Sequence, residues 1–481
     1  MNEDALAFDL IIVGAGSGNS ILDDRFDGLS VALIDDGEHF GGTCLNAGCI
    51  PTKMFVHVAD LAVAGADRER FGLTDVTPGA EWLRIRDRIF GRTDSISESG
   101  LEYRRFGSAN VTLFRETFRF VAPTELVGAS GVRIRGSRIV IAAGSRPRPL
   151  PVAVASAAAG GIHDSDSIMR IDRLPSSLLI VGGGYVACEF AHVFDALGVA
   201  VTQVIRGSRL LASADDSVSE RFTGLAAESW DLVTESSVHA IDRTEDGVRV
   251  ALDSGAVLSV DAVLVAIGRV PNTDTLGAAD VGFDLADHGL LAVDEYQHVL
   301  SGGRPLSSVF ALGDVCSAAQ LKHVANAQAR AVQHNLLHAE SPVRADPGPI
   351  PAAIFSRPQV ASFGVTERDA RATGRDPVVV VQNYGDTAWG WALEDTTSFC
   401  KLVVDARTGQ LLGAHILGPD ASILLQPLIQ AASSGTSVRG LARGQYWPHP
   451  AATEIVENAL LKAEAALVER GASAANEGAP E

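Results

Sequence analysis

The chain has 481 residues, 46% hydrophobic and 20% charged, with a net charge of −20. That length exceeds what one hydrophobic core serves and predicts about three domains, in a composition proper to a folded protein rather than a disordered or fibrous one. The acidic balance excludes a nucleic-acid surface, which needs clustered lysine and arginine.

At the amino terminus, residues 1–8 lack the basic-then-apolar pattern of a secretory leader, and no run of about twenty apolar residues marks a membrane span. A cytoplasmic protein without membrane or nucleic-acid partners is expected. Residues 8–13, Phe-Asp-Leu-Ile-Ile-Val, read as a buried parallel strand. Gly14-Ala15-Gly16-Ser17-Gly18-Asn19 follows. Gly14 and Gly16 permit a tight turn that approaches a pyrophosphate held at the start of a helix, and Ser17 and Gly18 belong to the same phosphate-facing turn. Asn19 fills the third glycine position of the usual fingerprint. A second strand over 30–34 ends at Asp35, where a carboxylate can accept hydrogen bonds from a ribose hydroxyl.

Next comes Gly41-Gly42-Thr43-Cys44-Leu45-Asn46-Ala47-Gly48-Cys49-Ile50-Pro51-Thr52-Lys53. Two cysteines five apart, beside a nucleotide turn, read as a dithiol that gains and loses electrons. On a straight helix their Cα atoms would be about 8–9 Å apart, whereas a disulfide needs about 4.4–6.8 Å, so the segment is expected to bend at its glycines and Pro51. A structural crosslink here would close a short loop and stabilise little. No second cysteine pair completes a zinc cluster, and no metal site is expected.

A second nucleotide unit repeats the pattern. Residues 177–181 form a strand, and Gly182-Gly183-Gly184-Tyr185-Val186-Ala187-Cys188-Glu189 opens a helix. The following strand, 199–205, ends without a carboxylate, and Arg206 and Arg209 come after it. A missing acid with arginine nearby favours a ribose 2′-phosphate, hence NADPH. Residues 308–312 form a strand running into Gly313-Asp314, whose carboxylate can reach a further cofactor hydroxyl. Lysine occurs only at 53, 322, 401 and 462, with arginine elsewhere, a bias typical of a GC-rich genome.

These segments, with Ile141-Ala142-Ala143-Gly144-Ser145, Ala266-Ile267-Gly268-Arg269-Val270-Pro271-Asn272, and His449-Pro450 followed by Glu454, make the chain resemble the flavoprotein disulfide reductases (class I pyridine nucleotide-disulfide oxidoreductases) over residues 8–467. Within that family Gly16–Ser20, Gln320–Asn326 and the stretch from Gln445-Tyr446-Trp447 to Leu461 are most similar to the mycothione reductases. The resemblance implies FAD and NADPH as cofactors, a homodimer, and a low-molecular-weight disulfide, mycothione, as substrate. It adds Gly42, Thr43, Lys53, Gly144, Ser145, Gly268, Arg269 and Tyr185 to the nucleotide contacts, Tyr185 covering the nicotinamide pocket. Cys49 is implied to lie beside the flavin and Cys44 to be the outer, attacking sulfur. His449, oriented by Glu454 and acting from the partner subunit, is implied as acid and base, with Lys53 and Glu189 paired beside the flavin. Cys188, Cys316 and Cys400 are expected to be packed side chains.

Two departures bear on these expectations. Ala212 stands where NADPH-using relatives place a second arginine, with Arg209 as its substitute; Ile205 stands where NADH-using dihydrolipoamide dehydrogenases carry an acid. Alternatives are dihydrolipoamide dehydrogenase or glutathione reductase-like activity, or a flavin redox sensor that acts by binding a partner. The fold class expected is α/β: two doubly wound Rossmann-type nucleotide-binding domains plus an α+β dimerisation domain. The FAD domain is expected over 1–151 and 273–347, the NADPH domain over 152–272 and the interface domain over 348–467, with a last helix over 452–470 and a mobile tail over 468–481.

Overall fold

The computed structural model describes residues 5–64, 71, 79–152, 160–245, 247–345 and 348–477. The first apolar run forms the strand Leu6–Val13, paired in parallel with Val31–Ile34 and Arg133–Ile141. The sheet around it runs in the order His298–Ser301, Arg304–Ala311, Arg133–Ile141, Leu6–Val13, Val31–Ile34, Val111–Phe114, with the hairpin of Phe118–Ala122 and Glu125–Gly128 attached to one side. Successive side chains of a strand point to opposite faces. Leu10 and Ile12 accordingly pack with Val332 and Leu336 of the helix Lys322–Leu337, while Ile11 and Val13 pack with Phe118, Phe120 and Leu126. Both faces are covered, which is why the strand reads as continuously apolar rather than alternating.

Ser177–Val181 sits at the centre of a second, five-stranded parallel sheet, ordered Asp231–Val233, Ala200–Val204, Ser177–Val181, Ala262–Val265, Ile162–Asp164. Leu178 and Ile180 face the helix Tyr185–Ala196, and Leu179 and Val181 face the antiparallel meander of Val238–Thr244, Gly247–Leu252 and Val257–Val260. A third sheet is antiparallel, ordered Pro351–Ile354, Val360–Gly364, Leu411–Leu417, Phe399–Val404, Val378–Asn383. Ile455, Val456, Ala459, Leu460 and Ala463 of the last helix bury one face in the same core as Leu402 and Val404. Two doubly wound parallel sheets and an α+β unit are thus the fold class expected. Among the described residues no helix is long and apolar enough to cross a membrane.

The structure corrects two local expectations. No α-helix follows the first glycine turn; the 3-10 turns Gly18–Ile21 and Asp24–Phe26 stand in its place. Gly18, Asn19, Ser20, Asp23 and Asp24 favour local side-chain-to-backbone bonding over helix, and the Asp23 carboxylate accepts from the Arg25 backbone N–H. Carbonyls that a helix would pair internally are taken by side chains instead. Arg104 donates to those of Asn19 and Leu22, and Gln333 to that of Ile21. At the other end, the last helix runs over Thr453–Glu477, beyond the expected stop. Three alanines at 472, 474 and 475 sustain it past Gly471, and of the expected mobile tail 478–481 lie outside the described residues.

Candidate active site

Two close backbone approaches shape the first turn. Gly14 has φ +104°, and a Cβ on it would collide with the Ala142 carbonyl. Gly42 has φ +79°, and its Cβ would lie 2.6 Å from Gly16 Cα. The nucleotide turn and the cysteine segment therefore abut, backbone against backbone, and at position 42 only glycine fits. Gly18 is different. It is buried against the side chains of Ile12 and Ala142, so it packs the turn onto the sheet and does not line the cavity.

The remaining expected nucleotide contacts converge on one cavity of 2480 Å³, lined from the first unit by Gly14, Gly16, Ser17, Asp35, Gly42, Thr43, Lys53, Gly144, Ser145, Gly313 and Asp314. From the second unit come Gly182, Gly184, Tyr185, Glu189, Arg206, Arg209, Gly268 and Arg269. Pockets for a single small ligand hold about 300–1,000 Å³, so this space is larger than one such ligand needs. Cys44 and Cys49 also line it, between the two glycine turns in sequence terms and on a shared wall in space.

The bend required between the cysteines is present. A helical turn, Thr43–Asn46, ends at Ala47 and Gly48, and a new helix, Cys49–Val63, starts at the second cysteine. Pro51 falls in that helix's first turn, where its missing N–H costs nothing. With both sulfurs as thiols, the Cys44 S–H donates to Cys49, and this lowers the Cys49 thiol to about 6 against the opposing effect of burial. The Lys53 charge adds to it, and Cys49's place as first residue of a helix favours the anion in the same sense. Cys44 moves the opposite way, first because its proton is held by Cys49 and then by burial. The pair thus stores one negative charge on Cys49 and one proton on Cys44.

Lys53, one turn further along that helix, reaches both oxygens of Glu189 at 2.6 and 2.8 Å and lies 4.9 Å from the Phe355 ring centroid. Glu189 is buried on the helix Tyr185–Ala196 and also accepts the Phe355 backbone N–H at 2.9 Å. One carboxylate therefore joins the cysteine helix, the second nucleotide sheet and the third domain. A second chain of contacts crosses between the nucleotide units. The Ser145 hydroxyl donates to Asp314 at 2.7 Å, and Arg269 Nε donates to the same hydroxyl at 2.8 Å. Tyr185, the first residue of its helix, has its phenol raised by burial and lies within electrostatic reach of Arg269, Asp314 and Cys49.

Asp35 has a partner the sequence did not announce. Arg115 Nη1 lies 2.5 Å from its carboxylate, yet burial pushes the acid up to about 6. Arg206 is exposed at the cavity wall, and Arg209 faces Asp216 at 3.6 Å. His449 Nδ1 is 2.6 Å from Glu454, but this pair does not line the cavity, and the histidine side chain is 70% exposed. Within one chain the structure keeps the imidazole apart from the sulfurs. Cys188 and Cys400 are buried and Cys316 half-buried, and burial pushes all three thiols up to about 12. Lys322, also unassigned in the sequence reading, lines the cavity with Nζ 2.8 Å from Ser17 Oγ. The rarity of lysine and its place in the Gln320–Asn326 stretch were the signals that could have found it.

Residues 8–331 match the pyridine nucleotide-disulphide oxidoreductase family, and residues 350–460 match its dimerisation domain. A mycothione reductase of Mycobacterium tuberculosis is 47% identical over 94% of this chain and 99% of its own. A glutathione reductase of Burkholderia cepacia is 31% identical over 88% of this chain and 92% of its own, and a dihydrolipoyl dehydrogenase of Mycobacterium leprae 32% over 94% and 97%. Among solved structures, an HOCl-induced flavoprotein disulfide reductase of Escherichia coli superposes with a TM-score of 0.81 at 26% identity, covering 94% of this chain and 99% of that one.

Proposed function

The chain belongs to the pyridine nucleotide-disulphide oxidoreductase family and is an FAD-dependent disulfide oxidoreductase, and we propose that it spends NADPH to reduce mycothione to mycothiol. The observation that carries this reading is the Cys44–Cys49 pair on the wall of a cavity shared by two glycine turns, in a chain 47% identical to a mycothione reductase. FAD, when bound, would take a hydride from the nicotinamide and pass two electrons onward to a disulfide. The Gly14–Ser17 turn, Asp35, Ser145 and Asp314 would hold it, with Lys53 and Glu189 beside its ring. Gly182, Gly184, Tyr185, Arg206 and Arg209 would hold NADPH.

Reduction of the 44–49 bridge yields a thiolate at Cys49 and a thiol at Cys44. Loss of the Cys44 proton makes that sulfur the nucleophile, since thiolate and not thiol attacks a disulfide. Its attack on mycothione forms a mixed disulfide and expels one mycothiol as thiolate. Cys49 then attacks Cys44, re-forming the bridge and releasing the second mycothiol as a thiolate that takes its proton from solvent. His449, held by Glu454, would take the Cys44 proton and return it to the departing thiolate. Because His449 stands outside the cavity of its own chain, we assign this role to the histidine of a second copy in a homodimer, with the dimerisation domain as support.

Steady-state rates with mycothione, glutathione disulfide and lipoamide, each with NADPH and with NADH, test the proposal. Mycothione with NADPH is expected to give the highest kcat/KM by at least tenfold. Faster turnover of lipoamide with NADH would replace the reading by a dihydrolipoamide dehydrogenase; no turnover of any disulfide would leave a redox sensor.

A further inference from the structure

The two nucleotide units differ in how positive charge reaches their phosphate turns. In the second, Gly184 leads into the twelve-residue helix Tyr185–Ala196, whose first residues line the cavity. Aligned peptide dipoles place about half a positive charge at such an end, where a phosphate is ordinarily bound. The first unit has only the four-residue 3-10 turn Gly18–Ile21 after its glycines, and a piece that short carries little dipole.

Lys322 reaches this deficient turn from elsewhere. It is the first residue of the helix Lys322–Leu337, it is half-buried, and its Nζ lies 2.8 Å from Ser17 Oγ. The other three lysines have carboxylate partners: Lys53 has Glu189, Lys401 has Asp215 and Glu367, and Lys462 has Asp386. Among the described residues Lys322 has none. An ammonium held at a glycine turn with no carboxylate beside it is placed to receive an anion, and a dianion seated against the Ser17 turn would provide one. Lys322 also acts on Cys44, drawing that thiol down, so the ammonium stands near both the turn and the Cys44 sulfur.

We infer that Lys322 supplies the positive charge for the diphosphate of the dinucleotide bound at the first glycine turn, in place of the helix dipole that this segment lacks. The inference rests on the reading of that dinucleotide as FAD. Lys322 is then a positioning residue for the cofactor, and its loss weakens the phosphate end of the site and leaves the ring end alone.

The test compares the full chain, stripped of flavin, with its Lys322→Met and Lys322→Arg variants in titrations with FAD and with riboflavin, which has the ring and no phosphate. Lys322→Met should raise the Kd for FAD tenfold or more and leave the Kd for riboflavin unchanged. Lys322→Arg should stay within threefold of the parent for both. Added salt should weaken FAD binding more in the parent than in the methionine variant, because a charge–charge contact is screened. Should Lys322→Met not fold, Lys322→Gln takes its place. The assignment is overturned if the uncharged variant binds FAD like the parent. It is also overturned if FAD and riboflavin weaken together, or if flavin binding holds and only the alkylation pH profile of Cys44 moves. A parent chain that takes up neither flavin would instead refute the flavoprotein reading itself.

Discussion

The charge on Cys49 should depend on the single proton of Cys44, and replacing that residue isolates the effect. Cys44→Ala removes the donor, whereas Cys44→Ser keeps an O–H in its place. The Cys44 hydrogen bond is the largest influence holding Cys49 at about 6; burial acts against it and Lys53 helps. Without the donor, burial offsets the lysine and the thiol should return to its ordinary value of about 8.5 or above. At pH 7 the thiolate fraction would then fall from about nine-tenths to about 3%, roughly a thirtyfold change. The assay is iodoacetamide alkylation of the reduced protein against pH, with the modified residue identified by peptide mapping. Cys188, Cys316 and Cys400, pushed up to about 12 by burial, stay silent over this range. The serine variant should alkylate at Cys49 with a midpoint near 6, reactivity fading as pH drops below it, and the alanine variant above 8. Coincident midpoints in the two variants would refute the argument that the Cys44 proton sets the charge.

Two further outcomes are expected. His449→Ala should leave flavin reduction by NADPH at the parental rate while slowing disulfide turnover about a hundredfold or more, measured by stopped-flow for the first half and steady-state rates for the second. Lys401→Met should destabilise the chain by about 3–5 kcal/mol, the range for breaking a buried pair, because Lys401 and Asp215 are 4% and 1% exposed and 2.8 Å apart. Burial opposes ionisation of Asp215, but the Lys401 hydrogen bond wins and holds it below the ordinary carboxylate range; the same lysine lowers Glu367. Stabilisation by a depressed acid is present above its unfolded value of about 4 and disappears as pH falls through the lowered one. The gap in urea midpoint between parent and variant should therefore be full at pH 7 and shrink below about pH 4. An equal gap at pH 7 and pH 3 would show that packing, not the ion pair, is lost.

Much of the architecture was legible because it is written in short-range patterns. The apolar runs at 8–13 and 177–181 could only be strands covered on both faces. The bend between Cys44 and Cys49 followed from helix geometry set against the shorter span a disulfide requires. What the sequence concealed is mostly long-range. Arg115 lies 80 positions from Asp35, Arg269 Nη1 faces Asp166, outside its own motif, at 3.6 Å, and Lys322 meets Ser17 across 305 positions. The missing helix after Gly18 was concealed differently. The first two glycines of the fingerprint were present, and only Asn19 in place of the third and the Ser and Asp beyond it argued against helix, a weak local preference set against a strong family pattern.

Glu189 shows why the chemistry could not be assigned to the cysteine segment alone. Cys49 and Lys53 lie four residues apart on one helix, hence on one face of it, so the ammonium that favours the thiolate travels with the sulfur. Its position, however, is fixed from outside. Glu189 holds Lys53 by both carboxylate oxygens while accepting the Phe355 N–H, and it sits 136 positions on, on the helix Tyr185–Ala196 that packs against the second nucleotide sheet. A lysine left free would swing its charge through several rotamers and lend Cys49 only a time-averaged share of it. Docking of the second nucleotide sheet against the cysteine helix is thus what makes the local field at Cys49 definite. On this view an isolated fragment ending before residue 150 would keep the two sulfurs and the glycine turn yet lose the lysine's fixed contribution, and Cys49 in it should titrate above its value in the intact chain.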